Sequence, residues 1–235
     1  VAAQAADGPT DRFINFAFTQ TVHALASHWK PALVKGSLEF AEPSHLVKVV
    51  SVGGGGEVAG VVRQQLADKE LPAERRTALI ALLASIGSHA DSSLALKLGA
   101  DQPEVLRALA TSARERNLAV PANAQQLIGT ALAHQDNAIR LEAIGLCGLW
   151  KLNAHGETIR GIAKDQTEPE PVRLAATEAL GFMRDLQMVK DDLAALASLK
   201  EKPAIRAAAI GGLARRDLPR AAHLAAVLLT KVKAE

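Results

Sequence analysis

Apolar residues recur every three or four positions along most of this chain, which is the spacing of amphipathic helices. From Pro72 onward the pattern predicts first and second helices in alternation. First helices are expected at 72–87, 103–116, 136–151, 169–184 and 202–216, and second helices at 91–99, 121–133, 155–165, 187–199 and 219–233. Prolines lie at or near six of these starts, where a missing N–H costs nothing. The chain is therefore predicted to be all-α.

Five arginines mark a repeat within this pattern. They are Arg76, Arg107, Arg140, Arg173 and Arg206, separated by 31, 33, 33 and 33 residues. Such a period indicates stacked helical units, an α-solenoid, rather than one globular core. An acid stands three to five residues before each of the last four arginines: Glu104, Asp136, Glu168 or Glu170, and Glu201. We interpret the five as an arginine ladder, a series of Arg–carboxylate contacts that joins each unit to its neighbour. The alternative, a row of phosphate-binding sites, is disfavoured by these acids and by the lack of aromatic partners.

The segment before Pro72 predicts a different kind of helix pair. Thr10 or Asp11 is expected to be the N-cap, and six residues fall on one helical face by their three- and four-residue spacing: Phe13, Ile14, Ala17, Thr21, Leu25 and Trp29. Pro31 is expected to begin a short second helix that ends at Gly36. We interpret 11–42 as aromatic-rich capping helices and 43–235 as about six helix pairs, in a single elongated domain. Residues 1–10, which lack an initiator Met, are expected to be a disordered leader or linker of a fragment cut from a larger protein.

The region just before the repeat predicts two shorter helices. They are expected at 43–52 and 57–68, with Gly53 to Gly56 as a flexible loop between them. This glycine run lacks the Gly-Lys-Ser or Gly-Lys-Thr ending of a phosphate-binding loop, and no strand is predicted before it.

Composition removes several functional classes. The net charge of +2 gives no strong attraction to nucleic acid or to an anionic membrane, and no apolar run approaches the roughly 20 residues that span a bilayer. One cysteine excludes an internal disulfide and a Cys-rich metal site. The seven histidines show no metal-ligand spacing. Cys147 is expected to be buried, and the base considered for it is His155 on the next helix. No catalytic residue, metal or cofactor is predicted.

The repeat resembles a known family. Residues Glu168 to Gly181 (EPEPVRLAATEALG) follow the pattern acid–Pro–x–x–[Ile/Val]–Arg–x–x–Ala–x–x–Ala–Leu–Gly, which is similar to HEAT repeats of the bilin-lyase-like subclass. Residues 136–148 and 202–214 match it well, and 72–87 and 103–116 more loosely. The resemblance covers roughly 43–235 and implies an armadillo-like α-solenoid. HEAT repeats serve many roles, so it implies little about function.

A second resemblance lies in the opening segment, in Asp11-Arg12-Phe13-Ile14-Asn15-Phe16-Ala17 and the apolar positions that follow as far as Phe40. It resembles the large multidomain membrane-bound dehydrogenase proteins of planctomycete-type bacteria. In that group a sugar-dehydrogenase-like β-propeller precedes HEAT repeats and a c-type cytochrome. The resemblance implies a middle segment of such a protein, located outside the cytoplasm in the periplasm or cell envelope. Neither the propeller nor a Cys-x-x-Cys-His sequence is present here, so no catalytic or haem residue carries over.

The function that these patterns favour is a non-catalytic scaffold that binds a protein or neighbouring domains of its own polypeptide. In the usual HEAT arrangement the second helices line the concave surface. The candidate residues, named here the second-helix surface, are Arg63, Gln64, Lys97, Gln125, Arg160, Lys164 and Lys190. The alternatives are a HEAT-like enzyme, such as a DNA glycosylase or a bilin lyase, and a pure structural spacer. The sequence leaves the oligomeric state open.

Overall fold

The computed structural model describes residues 11–35, 37, 38, 40, 43–54, 56–183, 188–198 and 200–232. Within these residues the chain forms fourteen α-helices, one short 3-10 helix and no strand, which confirms the all-α prediction. The predicted leader, residues 1–10, lies outside the described residues.

The helices match the predicted alternation closely from residue 73 onward. They are α1 (Arg12–Ala24), α2 (Ala26–Val34), α3 (Pro43–Gly53), α4 (Gly56–Leu66), α5 (Ala73–Ile86), α6 (His89–Gly99), α7 (Pro103–Arg116), α8 (Ala124–Leu132), α9 (Asn137–Leu149), α10 (Gly156–Lys164), α11 (Glu170–Phe182), α12 (Val189–Leu196), α13 (Pro203–Ala214) and α14 (Leu218–Val232). The 3-10 helix, Asn153–His155, leads directly into α10.

The chain divides into two compact units, residues 1–124 and 125–235. In the first unit, α1 packs on α3, α3 on α5 and α5 on α7, while α2 packs on α4 and α6 contacts both α5 and α7. In the second unit, α9 packs on α11 and α11 on α13, and α10, α12 and α14 pack beside this series. First helices therefore contact first helices in each unit, with the second helices alongside them.

Small residues set the distance between first helices in the second unit. A Cβ added at Gly148 on α9 would lie 2.7 Å from the Cα of Ala179 on α11. A Cβ at Gly181 on α11 would lie 2.8 Å from the Cα of Gly212 on α13. The glycine that ends the repeat motif is thus required by close backbone approach. Ala176, also on α11, is fully buried.

The N-terminal segment departs from the prediction. The six residues expected on one helical face do not share one helix, because α1 ends at Ala24 and α2 begins at Ala26. The Trp29 indole donates to the carbonyl of Val22 at 2.9 Å. Val22 is in the last turn of α1, where backbone carbonyls need hydrogen-bond donors from outside the helix. Trp29 is the one buried member of the six. Pro31, expected to begin a helix, lies inside α2.

The loop predicted from Gly53 to Gly56 is shorter in the structure, because Gly53 ends α3 and Gly56 begins α4. Gly53 also has a packing role. A Cβ at Gly53 would lie 2.5 Å from Cζ2 of Trp29, so only glycine fits beneath the indole. Gly54 adopts a positive φ of 63°, which glycine tolerates without strain, and Gly55 lies outside the described residues.

Candidate functional site

Arg173 is the most buried member of the arginine ladder, at 4% exposure on α11. Its Nε donates to the carbonyl of Ala163 at 3.1 Å, near the C-terminus of α10, where cations are favoured. Its Nη1 donates to Gln166 Oε1 at 3.0 Å, and its Nη2 donates to Glu201 Oε2 at 2.8 Å. One guanidinium therefore joins the helix before it, the intervening loop and the segment that leads into α13.

Arg140, on α9, binds the equivalent acid of the next segment. Its two terminal nitrogens engage both carboxylate oxygens of Glu168, with Nη1 at 2.9 Å from Oε2. Glu168 follows Arg140 by 28 residues, the same offset as from Arg173 to Glu201. Glu168 and Glu201 therefore bind the arginine of the preceding first helix.

Arg76, in the first unit, donates to backbone carbonyls, as Arg173 does to the carbonyl of Ala163. Its Nη1 donates to the carbonyl of Leu66 at 3.2 Å, and its Nη2 donates to the carbonyl of Asp68. Leu66 lies ten residues earlier, the offset that Arg173 has from Ala163. Of the remaining ladder members, Arg107 is exposed on α7 and Arg206 is half-buried on α13.

Second helices are joined by their own ion pairs, which the sequence did not reveal. Arg63 on α4 binds Asp91 in the first turn of α6, within the first unit. In the second unit, Asp192 in the first turn of α12 binds both Arg160 and Lys164 of α10. The two aspartates are almost completely buried. Each is thus a fixed junction between consecutive second helices.

The buried aspartates are held in their charged form. Desolvation alone would raise the pKa of Asp91, but hydrogen bonds from Ser88 and Arg63 outweigh it and lower that pKa below its usual value. Desolvation also opposes ionisation of Asp192, whose pKa is nevertheless lowered because Arg160 and Lys164 both donate to the carboxylate. The same contact with Asp192 raises the pKa of Arg160.

Arg160 is the member of the second-helix surface that the sequence placed wrongly. It was expected to be exposed, yet it is 6% exposed, because its guanidinium lies between Asp192 and Glu157. The pattern of charges on α10 suggested a solvated face, and the acid that buries Arg160 lies 32 residues away.

The other members of the second-helix surface lie mostly in the open. Arg63, Gln64, Lys97, Gln125 and Lys164 are exposed, and Lys190 is half-buried. Two of these side chains, Arg63 and Lys164, also take part in the ion pairs with the buried aspartates. Gln64, Lys97 and Gln125 are therefore the candidates that the structure leaves most open to solvent.

Histidine and cysteine side chains have structural contacts. His89 Nδ1 lies 3.0 Å from the carbonyl of Ala119, and His155 Nε2 lies 2.8 Å from the carbonyl of Gln125. Cys147 is buried, as predicted, and burial raises its pKa to about 12. Its Sγ contacts the carbonyl of Leu152 at 3.7 Å, so the thiol and His155 have different partners.

The requirements of a metal site and of a membrane-spanning helix are not met in the described residues. In the described residues no group of three or more His, Cys, Asp or Glu is arranged to hold a metal ion. No helix in the same part of the chain is both long and apolar enough to cross a membrane.

The helix at each end of the described chain exposes large apolar side chains. On α1, Phe13 is 79% exposed and Phe16 is 65% exposed. On α14, Leu218 and Leu229 are each 66% exposed. Phe13 and Phe16, two of the aromatic residues in the predicted capping helices, thus point largely into solvent, because α1 buries Val22 near its C-terminal end and leaves its N-terminal half uncovered.

The chain matches no protein-family model, and none of the curated proteins resembles it significantly.

Proposed function

We propose that this chain is a non-catalytic interaction or interdomain scaffold built from HEAT-like helix pairs. In this proposal it belongs to a larger polypeptide of the dehydrogenase and cytochrome type. Its partner is another protein or a neighbouring domain of that polypeptide, and the contact is made by the exposed part of the second-helix surface. A pure spacer between flanking domains is the alternative outcome of the test below.

The observation that carries the proposal is the recurrence of the same contacts at fixed offsets. Arg140 and Arg173 each bind a carboxylate 28 residues further on. Arg76 and Arg173 each bind a carbonyl ten residues back. Contacts that recur in this way favour segments built alike, and a series of like segments presents the same helix face repeatedly.

The exposed side chains of the second helices suit a polar protein partner. Gln64 and Lys97 are long, exposed and located on α4 and α6. Ion pairs to buried aspartates hold these second helices in place, since Arg63 of α4 binds Asp91 of α6. A surface on rigid, joined helices loses little conformational entropy when a partner binds.

Site-specific photo-crosslinking tests the proposal in the full-length parent protein in its native cells. A photoreactive amino acid is placed at Gln64 or Lys97 on second helices, and as matched controls at Thr111 or Glu115, exposed positions of the first helix α7. We expect the second-helix positions to crosslink to one defined protein, or to another domain of the same polypeptide, while the controls do not. Equal labelling from both sets, or labelling from the controls alone, would overturn the proposal in favour of a spacer.

A further inference from the structure

Helix α1 is poorly covered by the rest of the chain. It has thirteen residues, of which only Val22 is buried, and Phe13 and Phe16 project into solvent. A helix of this length is marginal on its own, since most helical stability in proteins comes from packing of an apolar face. This end of the first unit therefore has apolar surface that another molecule would stabilise.

A groove lies on α2 and the start of α4, in the same unit as α1. Its volume is about 460 Å³, and its lining is mostly apolar, with Ala26, Pro31 and Val34 in the walls. Val34 is 50% exposed. The groove is open along one side, which suits the row of side chains that an amphipathic helix inserts.

The charges around the groove define its partner. Residues 11–35 contain three Lys or Arg side chains and one acid, Asp11, whose carboxylate is occupied by the N–H groups at the start of α1. Lys30 and Lys35 both line the groove. Lys30 lies 5.7 Å from the centre of the Trp29 ring and 3.7 Å from Glu57 Oε2, across the groove.

The two ends of a second copy of this chain are the wrong occupants on grounds of charge. Residues 203–232, at the other end of the chain, contain five Lys or Arg side chains and one acid, Asp217. Association of two N-terminal ends, or of an N-terminal end with a C-terminal end, would thus bring cations against cations. An acidic partner is favoured at this end.

We propose that the groove between α2 and α4 binds an acidic, amphipathic helical segment of another protein. Apolar side chains of that segment fill the space along Pro31 and Val34, and its carboxylates lie against Lys30 and Lys35. This site is separate from the second-helix surface. A concave groove favours a protein segment over a lipid surface, which would require a flatter apolar face.

Fluorescence anisotropy with a labelled synthetic helix tests the proposal on the whole chain. The probe is a peptide of about 14 residues, roughly four turns, with Leu along one face and Glu at the other positions. The control peptide has Lys in place of every Glu. We expect the acidic peptide alone to bind, and its affinity to fall steeply as salt is raised from about 0.05 to 0.5 M.

Variants locate the binding. The double change Lys30→Glu and Lys35→Glu should weaken the acidic peptide by about tenfold or more, because it reverses both cations of the groove. Lys69→Glu, the reversal of one exposed lysine in the loop between α4 and α5, should leave binding unchanged. If Lys97→Glu abolished binding and the double change did not, the peptide would occupy the second-helix surface, and the groove would lose its assignment while the scaffold proposal stood.

A gain of affinity keeps the proposal testable even if the double variant unfolds. Glu57 is an exposed acid in the lining of the groove, so Glu57→Gln should tighten the acidic peptide by about two- to threefold through lost repulsion. No change on Glu57→Gln, equal binding of both peptides, or binding of neither would overturn the assignment. Sedimentation of the chain with phosphatidylglycerol vesicles, lost in the double variant, would overturn it in favour of a lipid surface.

Discussion

Helices α1 and α11 have the same length, thirteen residues, and opposite surroundings. Helix α11 packs on α9, α10 and α13, and seven of its residues are buried, including a charged arginine. Helix α1 buries one residue and exposes two phenylalanines. The surroundings therefore explain the side chains of one helix and not those of the other. The side chains of α11 are fixed by neighbours within the chain, whereas those of α1 are bulky without a neighbour to account for them.

The largest expected effect tests the buried contacts of α11. Arg173→Ala should lower the free energy of unfolding by about 3–5 kcal/mol, because it leaves the buried Glu201 carboxylate without its cation. Glu178→Ala, at an exposed position of the same helix, should change stability by less than about 0.5 kcal/mol. Urea unfolding measures both. An effect of Arg173→Ala as small as that of Glu178→Ala would show that the contacts of Arg173 contribute nothing to stability.

A smaller effect comes from overpacking the same helix. Ala176→Leu should cost about 1–3 kcal/mol, because Ala176 is fully buried and the added carbon atoms must displace its neighbours. The matched change in α1, Ala17→Leu, adds the same atoms at an exposed position and should be nearly neutral. Thermal unfolding followed by circular dichroism compares the two. A comparable loss at Ala17 would mean that α1 is covered.

The pH dependence of stability should report the junction at Asp192. Its pKa is lowered by folding, so its contribution is present above its unfolded pKa, about 3.9, and is lost as pH falls through the folded pKa. Asp192→Asn should therefore melt lower at pH 7 and lose less between pH 7 and pH 3 than the unaltered chain does. An unchanged pH dependence would contradict the assignment of this carboxylate.

The smallest effect is expected at α1 itself. Phe13→Ser and Phe16→Ser should each change the melting temperature of the free chain very little, since both rings are already in water. Phe40, half-buried, is the contrasting position, and Phe40→Ser should be more destabilising. A loss of several degrees on Phe13→Ser would show that α1 packs against the chain after all.

The helices of the repeat were predicted well, because the residues that recur in the sequence are also the ones that pack between helices. The first helix expected at 136–151 runs from Asn137 to Leu149, and that expected at 103–116 runs from Pro103 to Arg116. The glycine at the end of the motif was visible in the sequence, and the structure supplies its reason in the contact of Gly148 with Ala179.

The break between α1 and α2 and the partner of Glu168 could not be predicted, because in each case two different structures are compatible with the same sequence pattern. The apolar spacing from Phe13 to Trp29 continues without interruption, while the backbone breaks at Leu25. Glu168 precedes Arg173 by five residues, yet it lies in a loop from which it reaches Arg140. Nothing in the local sequence distinguishes the near partner from the distant one.

The same limit applies to the candidate site. Arg160 belongs to a charged stretch of α10 that is typical of a solvated face, and its burying partner Asp192 is on another helix. The groove on α2 and α4 arises from the position of Pro31 inside α2 and from the approach of Glu57, neither of which follows from spacing alone. Tertiary placement decides both cases.

The offset of the ladder contacts has a consequence for how such a chain can change length during evolution. Arg173 takes its carboxylate from Glu201, in the segment that follows, and its carbonyl from Ala163, in the segment that precedes. Tandem duplication of residues 169–201 would give every new arginine an acid and a carbonyl at the same separations. A gene could therefore gain or lose whole segments without leaving a charged side chain unpaired. An insertion of any other length would shift Glu201 away from the guanidinium that holds it.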